Sequence, residues 1–290
     1  MTTNRTTTLL PLGFVLLWST GFIGARLGLP HAPPLTFLLL RYLAVVLLMT
    51  LLALATGAPW PRTGRQWLHL GIAGLLIHGV YLGGVFIAIS RGLPAGVTSL
   101  VVGLQPLLTA VTAGLLLKER VSRNQWLGLM LGFVGVAMVV AGKIGTGFGL
   151  PALLAALAAL LGITLGLIYQ KSFCASFDWR SGAVAQFIPT ALLTGLLAWA
   201  TEDMRVDWQG EFIFALGWLT LVLSLGAISL LNWLVRRGSA VNTASWFYLV
   251  PPFTAVFAWL LFGETLSGQA LLGMGLAVLG VYLARPPAKA

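Results

Sequence analysis

Few polar side chains lie inside the long apolar runs of this 290-residue chain, and those few must carry whatever chemistry it performs. His78 and Tyr81 stand three residues apart and share one face of a helix, with Gly74 a turn earlier leaving room beside them. An ionisable ring in an apolar run marks a candidate site for a polar solute or a proton. The plainer alternative is a neutral imidazole hydrogen-bonded to a neighbouring helix. Thr98, Gln105 and Thr109, spaced by seven and four, predict a second polar face, and a buried amide such as that of Gln105 needs partners. Ser245 and Tyr248 predict a third, with Trp246 beside them on a different face. Trp18 falls at mid-run rather than at an end. It and Trp246 are either packing aromatics or part of a cavity suited to an aromatic or aliphatic side chain. Arg41 is the one Arg or Lys that belongs to no loop; its stem can snorkel outward, or its head can pair with backbone carbonyls. Pro106, Pro251 and Pro252 also sit at mid-run. Each removes a backbone donor and strands the carbonyl four residues back, on Val102, Phe247 and Tyr248, which makes them paired hinges or static kinks.

The elements that must position these residues follow from composition. Hydrophobic residues make up 58% of the chain and charged residues 8%, with mean hydropathy +0.95. A soluble domain carries about 25% charged residues, so this is the composition of a membrane protein. The apolar runs are continuous and about twenty residues long, as a spanning helix requires, without the alternation of a β-barrel strand. Polar breaks divide the chain into ten predicted helices, near 9–27, 35–57, 68–91, 94–117, 124–142, 149–170, 180–200, 212–235, 240–262 and 267–284. The polar start, Met1 to Thr8, leads directly into the first, which reads as a retained helix rather than a cleaved signal. The single cysteine, Cys174, excludes an internal disulfide and reads as inert.

The chain repeats itself. Pro106-Leu107-Leu108-Thr109-Ala110-Val111, then Glu119, Ser122, Leu127-Gly128 and Gly135-Val136, is echoed by Pro251-Pro252-Phe253-Thr254-Ala255-Val256, Glu264, Ser267, Leu272-Gly273 and Gly280-Val281. The offset is 145 throughout, half of 290, which divides the chain into repeats 1–145 and 146–290 with five helices each. An odd number makes the two copies run oppositely through a membrane, as inverted repeats. Charge agrees: twelve Lys and Arg fall on the side of the N-terminus and four (Arg26, Arg91, Lys143, Arg205) on the other, which predicts cytoplasmic termini. The net charge of +10 therefore records orientation rather than a nucleic-acid partner.

With the duplicated motif in hand, the chain resembles the drug/metabolite transporter superfamily in its two-repeat, EamA-type branch, over nearly all of both halves. The resemblance rests on Trp18-Ser19-Thr20-Gly21-Phe22, on Phe37-Leu38-Leu39-Leu40-Arg41-Tyr42, on the run from Leu93-Pro94-Ala95 through Pro106 to Glu119-Arg120-Val121-Ser122, and on its echo ending at Glu264-Thr265-Leu266-Ser267. It is most similar to bacterial inner-membrane exporters of aromatic and other amino acids. The resemblance implies an all-α bundle of ten transmembrane helices that works by alternating access, without a cofactor, and as a monomer. It makes Arg41 structural or gate-related more often than substrate-binding.

A central cavity is expected between the third, fourth, eighth and ninth helices, with parts of the first and sixth. A small zwitterion would set its ammonium against carbonyls near Pro106 or Pro251 and its carboxylate against His78 or Gln105. Substrate choice should come from positions where the copies differ, such as His78 against Leu223 and Gln105 against Val250. All seven carboxylates fall in loops or at helix ends, which favours uncoupled or weakly coupled export unless His78 carries protons. The rivals are efflux of drugs or toxic metabolites by proton antiport and, more remotely, a membrane-embedded enzyme, which would need a catalytic cluster near an interface.

Overall fold

The computed structural model describes residues 3–93, 95–116, 121–141, 149–174, 177–237, 244–262 and 268–284. Glu119, Glu264, Ser267 and the cations Lys118, Arg120, Lys143, Arg285 and Lys289 lie outside the described residues. Every regular element among those described is helical. Segments one (Thr3–Gly28) and two (Pro34–Ala55) are single helices. Segment three runs through Gly64–Gly74, Leu75–Leu82 and Gly83–Ser90, and segment four is split into Ala95–Val102 and Gln105–Leu116. Segments five (Arg123–Ala141), six (Leu150–Phe173) and seven (Trp179–Thr201) are again continuous. Segment eight combines Gly210–Trp218, Leu219–Ala227 and Ile228–Arg237; segment nine combines Trp246–Leu249 and Val250–Phe262; segment ten is Gly268–Ala284. Six of these, segments one, two, three, six, seven and eight, are long and apolar enough to cross a membrane.

Local chemistry sets the ends. Thr63 and Gln66 form a reciprocal capping box at the start of segment three, and Ser122 and Gln125 form another ahead of segment five. Segments two and three stop at Gly57 (φ 61°) and Gly92 (φ 87°), where a left-handed residue lets Ala58 N reach Ala53 O at 2.8 Å and Leu93 N reach Ala88 O at 3.0 Å. The N-terminus of segment two is capped from a distance. The carboxylate of Glu202, just past segment seven, accepts from Leu35 N, Thr36 N and the Thr36 hydroxyl at 2.7–2.8 Å.

Segments five and ten pack closely, as do segments two and seven, and each pair matches a segment with its copy five further on. A Cβ on Gly135 would sit 2.4 Å from Gly273 O and 2.6 Å from Ala277 N, and one on Gly280 would sit 2.5 Å from Gly132 N and 2.6 Å from Gly128 O. Higher numbers on one helix meet lower numbers on the other, so the two run antiparallel with backbones in contact. The contacts are also reciprocal, since Gly135 and Gly280 are repeat partners, as are Gly128 and Gly273. A two-fold relation produces that pattern.

Two features were not expected from the hydrophobic pattern. Leu75–Leu82 and Leu219–Ala227 are π-helical, and adding 145 to 75–82 gives 220–227. Both copies thus widen their third helix at the same place. Segments four and nine also break in register. Gly103 and Leu104 form a turn before Gln105, and the 3-10 turn Trp246–Leu249 precedes Val250. Pro106 consequently lies in the first turn of a new helix, where the missing N–H has no helical partner to lose, and Pro251 and Pro252 open the α-helix that follows the 3-10 turn. The break lies just ahead of each proline.

Candidate functional site

The π turns are held in place by glycines of the opposite half. A Cβ on Gly166 would meet Ile77 and Leu76 of the first turn, and one on Gly21, its repeat partner, would meet Leu223 of the second. At Gly74 a Cβ would lie 2.2 Å from Gln186 O, so segments three and seven touch backbone to backbone one turn below His78. These close approaches build a cavity between segments one, two, three and eight. It is lined by Trp18, Gly21 and Phe22, by Arg41, by Ile77, His78, Tyr81, Leu82, Val85 and Phe86, and by Leu223 and Ile228. Its open space is about 30 Å³, room for little more than water. The site is a slot that must widen to admit an organic solute.

His78 is 1% exposed. Its Nε2 donates to Gln186 Oε1 at 3.3 Å in the tautomer this pairing favours, and its ring stacks on Phe187 at 4.0 Å. Nδ1 is then a bare acceptor, with no partner among the described residues. The Tyr42 hydroxyl donates to His78 O at 2.7 Å, satisfying a carbonyl that the π turn displaces from the regular ladder. Tyr81 accepts from Trp18 Nε1 at 3.1 Å, and the two rings lie parallel, 6.1 Å apart. Trp18 packs edge-on to Phe247 at 5.5 Å and beside Phe14 at 5.1 Å. It is at once cavity wall and packing aromatic.

Arg41 neither snorkels nor turns to the backbone. It is 2% exposed, its Nε donates to Ser224 Oγ at 3.1 Å, and it makes no ion pair among the described residues. Ser224 in turn donates to Leu219 O, five residues back, at 3.1 Å, the spacing of a π turn. Position 41 plus 145 is 186, and 42 plus 145 is 187. Arg41 and Gln186 are therefore repeat partners, and each reaches the π turn of the other half. Tyr42 and Phe187, the next partners, touch each other at 5.4 Å across the pseudo-two-fold.

The other polar residues singled out by sequence lie elsewhere. Gln105 is fully buried, with Nε2 on Thr109 Oγ1 at 2.8 Å and Oε1 without a partner among the described residues. The Tyr248 ring covers Gly132 of segment five, where a Cβ would lie 2.4 Å from it. Thr98, Ser245 and Trp246 are buried, and neither they nor the three prolines line the cavity. Around its break segment nine meets segments one and five, whereas segment four packs mainly on segment six. Ser19 of segment one meets segment nine at its break, its hydroxyl within reach of Val15 O at 2.7 Å and Val250 O at 3.2 Å. Gln186, Ser224 and Tyr42 are the site residues that sequence reasoning missed. The signal for Gln186 was present: it is the polar residue that stands where the first copy has Arg41.

Both ends of the slot are bridged. At the acidic end, which carries Glu202, Asp203, Asp207 and Glu211, Phe37 packs on Phe86 and Phe212 at 5.4 and 5.0 Å, and Trp218 Nε1 donates to Thr20 Oγ1 at 2.9 Å. His31 there lies between Asp207 and Glu211, at 3.3 and 3.5 Å. At the basic end Gln170 Nε2 donates to Asn232 Oδ1 at 2.5 Å, Arg236 bonds Phe177 O and covers its ring, and Ser181 Oγ donates to Pro59 O at 2.6 Å. Arg180 grips Asp178 through two side-chain bonds, which holds that carboxyl below its ordinary range. Burial pushes the Cys174 thiol up to about 11.

The model of the EamA-like transporter family matches twice, over residues 6–141 and 150–285. The uncharacterized transporter YvbV of Bacillus subtilis is 29% identical, over 99% of this chain and 94% of its own. The probable amino-acid metabolite efflux pump of Salmonella typhimurium is 26% identical, over 94% of this chain and 93% of its own. A solved crystal structure shares the fold with a TM-score of 0.79 at 24% identity, covering 97% of this chain and 96% of the other.

Proposed function

Because the chain belongs to the EamA-like transporter family, we propose that it carries small amphiphilic carboxylates, neutral amino acids foremost, out of the cell through the slot between segments one, two, three and eight. The observation that carries this reading is Arg41, a buried guanidinium in the cavity wall with no carboxylate partner among the described residues. A buried charge without a counter-ion is costly, and a guanidinium fork matches a carboxylate better than any other common anionic group except phosphate. The substrate carboxylate completes the pair. The bare Nδ1 of His78 and the Tyr81 oxygen receive the ammonium, while Trp18, Phe22 and Phe86 pack on the side chain. This reassigns the carboxylate from His78 or Gln105 to Arg41, and the ammonium from the proline carbonyls to His78.

The transport cycle alternates access between two inverted five-helix halves that meet between residues 141 and 150. Reciprocal glycine contacts and matched π turns support that arrangement. The basic end faces the cytoplasm in this reading, with both termini, and the acidic end faces outward. Export is uncoupled, since the only acidic groups among the described residues stand at the two ends.

Counterflow of radiolabelled phenylalanine, methionine and threonine in proteoliposomes tests the assignment. Losing one charge-assisted bond of about 1.5–3 kcal/mol makes Arg41→Gln weaken uptake at least tenfold, with Arg41→Lys intermediate. Amine analogues that lack the carboxylate should not compete. Equal competition by such analogues, or full activity of Arg41→Gln, would discard the carboxylate site. A flux that grows with an imposed pH gradient would replace uncoupled export by proton antiport.

A further inference from the structure

A second, larger concavity lies on the other face of segment three. Ile77, His78, Tyr81, Leu82, Val85 and Phe86 face the slot, whereas Gly79, Gly83 and Ile87 face a groove of about 800 Å³ between segments three, six and seven. Its floor is smooth, made of Gly79, Gly83, Ala155 and Ala158, and Leu197 forms part of its far wall. A Cβ on Gly83 would meet nothing within 4 Å, so the groove holds space that no side chain of this chain fills.

The groove has a polarity along its length. It begins at Leu75 and Gly79 near the middle of segment three and ends at Ser90, Arg91, Glu202 and Asp203. Twelve residues from Gly79 to Arg91 rise about 18 Å at 1.5 Å each. One leaflet of a bilayer core is about 15 Å thick, so an apolar trough from mid-membrane to the headgroup level matches a single leaflet. Its mouth carries opposite charges on opposite walls. Arg91 is exposed and makes no ion pair among the described residues. Glu202 is committed to capping segment two, whereas Asp203 is 62% exposed, accepts from Arg205 N at 3.3 Å, and lies 3.9 Å from a guanidinium that is itself 90% exposed.

We propose that this groove is a binding site for one phospholipid with a primary-amine headgroup, drawn from the leaflet at the acidic end. An acyl chain lies on the glycine and alanine floor, the phosphate meets Arg91, and the ammonium meets Asp203. Bound there, the lipid packs against the back of the π turn that carries His78 and Tyr81, so it supports the slot from behind. The site depends on membrane embedding alone, and it stands or falls independently of the cargo.

Native mass spectrometry of the full chain, released from a mild detergent with phosphatidylethanolamine, phosphatidylglycerol or phosphatidylcholine added, provides the test. The wild type should retain one phosphatidylethanolamine per chain in preference to the other two. Gly83→Leu extends a side chain into the trough from a position whose Cβ meets nothing within 4 Å, and Arg91→Glu reverses the phosphate contact at an exposed position; each should cut retention about tenfold. Asp203→Asn should erase the preference over phosphatidylglycerol while leaving some binding. Leu47→Ala, at a lipid-facing position outside the groove, should behave as wild type. Equal retention by wild type, Gly83→Leu and Arg91→Glu would overturn the site. So would equal retention of phosphatidylglycerol by the wild type, or a second copy of the chain in place of lipid.

Discussion

At the scale of single residues, the pairing of Arg41 with Gln186 is the most consequential contrast. The same position in the two copies holds a permanent charge in one and a neutral amide in the other, and each side chain crosses to the opposite π turn. His78 depends on that crossing, because Gln186 fixes which ring nitrogen carries the proton. Gln186→Leu should therefore impair transport while leaving the protein folded. Gln186→Glu should change the pH profile of flux, since a carboxylate at that place favours a charged imidazole. An unchanged profile in Gln186→Glu would show that the ring does not sense position 186. His78, Tyr81 and Trp18 were legible in the sequence because each is conspicuous in an apolar run. The role of Arg41 was not, since the pattern left its direction open and only the fold supplies Ser224. Cys174 offers a simpler check. With its thiol pushed up to about 11 by burial, it stays protonated at neutral pH and becomes a thiolate only as the pH climbs toward that value. Alkylation by maleimide at pH 7 should be slow in native protein and fast after unfolding in detergent.

At the scale of helices, the two kinds of irregularity have different causes. The breaks before Pro106 and Pro251 were anticipated as to place, because proline is visible in sequence, although the helices restart at the prolines rather than bend through them. The π turns were not anticipated. A wider helix differs from an α-helix by less than one residue per turn, and in an all-apolar run no polar stripe records the change. What fixes them is contact from outside the segment: Gly166 and Gly21 against their flanks, and the Tyr42 hydroxyl on the His78 carbonyl. Substituting Gly166 by Leu should push Ile77 aside and lower both stability and transport. The segment five and ten pair gives a cleaner test. Gly135→Leu and Gly280→Leu each place a side chain against backbone with nowhere to move, and each should cost more than about 3 kcal/mol in thermal or chemical unfolding. Their repeat relation makes the two costs similar. A tolerant Gly280 beside an intolerant Gly135 would contradict the reciprocal packing. Asp178 caps segment seven, accepting from Arg180 N at 2.9 Å, so Asp178→Ala should lose about 1 kcal/mol. Its carboxyl is held below the ordinary value, so that contribution is complete at neutral pH and fades as the pH falls below about 4.

For the whole molecule, the constant offset in the sequence already implied two equivalent halves, and the structure adds how they interlock. Glu202 of the second half caps a helix of the first, Ser181 of the second holds Pro59 of the first, and Tyr42 touches Phe187 between them. Neither half contains a complete slot. The orientation rests on loop charges, and single cysteines in a Cys174→Ser background can read it. A cysteine at position 203 should react with an impermeant maleimide on intact cells, and one at position 4 only after the membrane is opened. Labelling of both positions from the same side would undo the assignment of the acidic end to the exterior. The bridges at both ends also imply that cargo cannot pass without breaking one set. Weakening Gln170–Asn232 should make position 174, next to the basic end, more reactive, whereas weakening Trp218–Thr20 should not.

The exchange of Arg41 and Gln186 across the pseudo-axis also bears on the gene. A homodimer of the first half would bring two guanidiniums toward the same buried region, where like charges repel and neither has a counter-ion. A homodimer of the second half would have two amides and no charge to hold a carboxylate. Divergence at this one position is enough to make the two halves non-interchangeable.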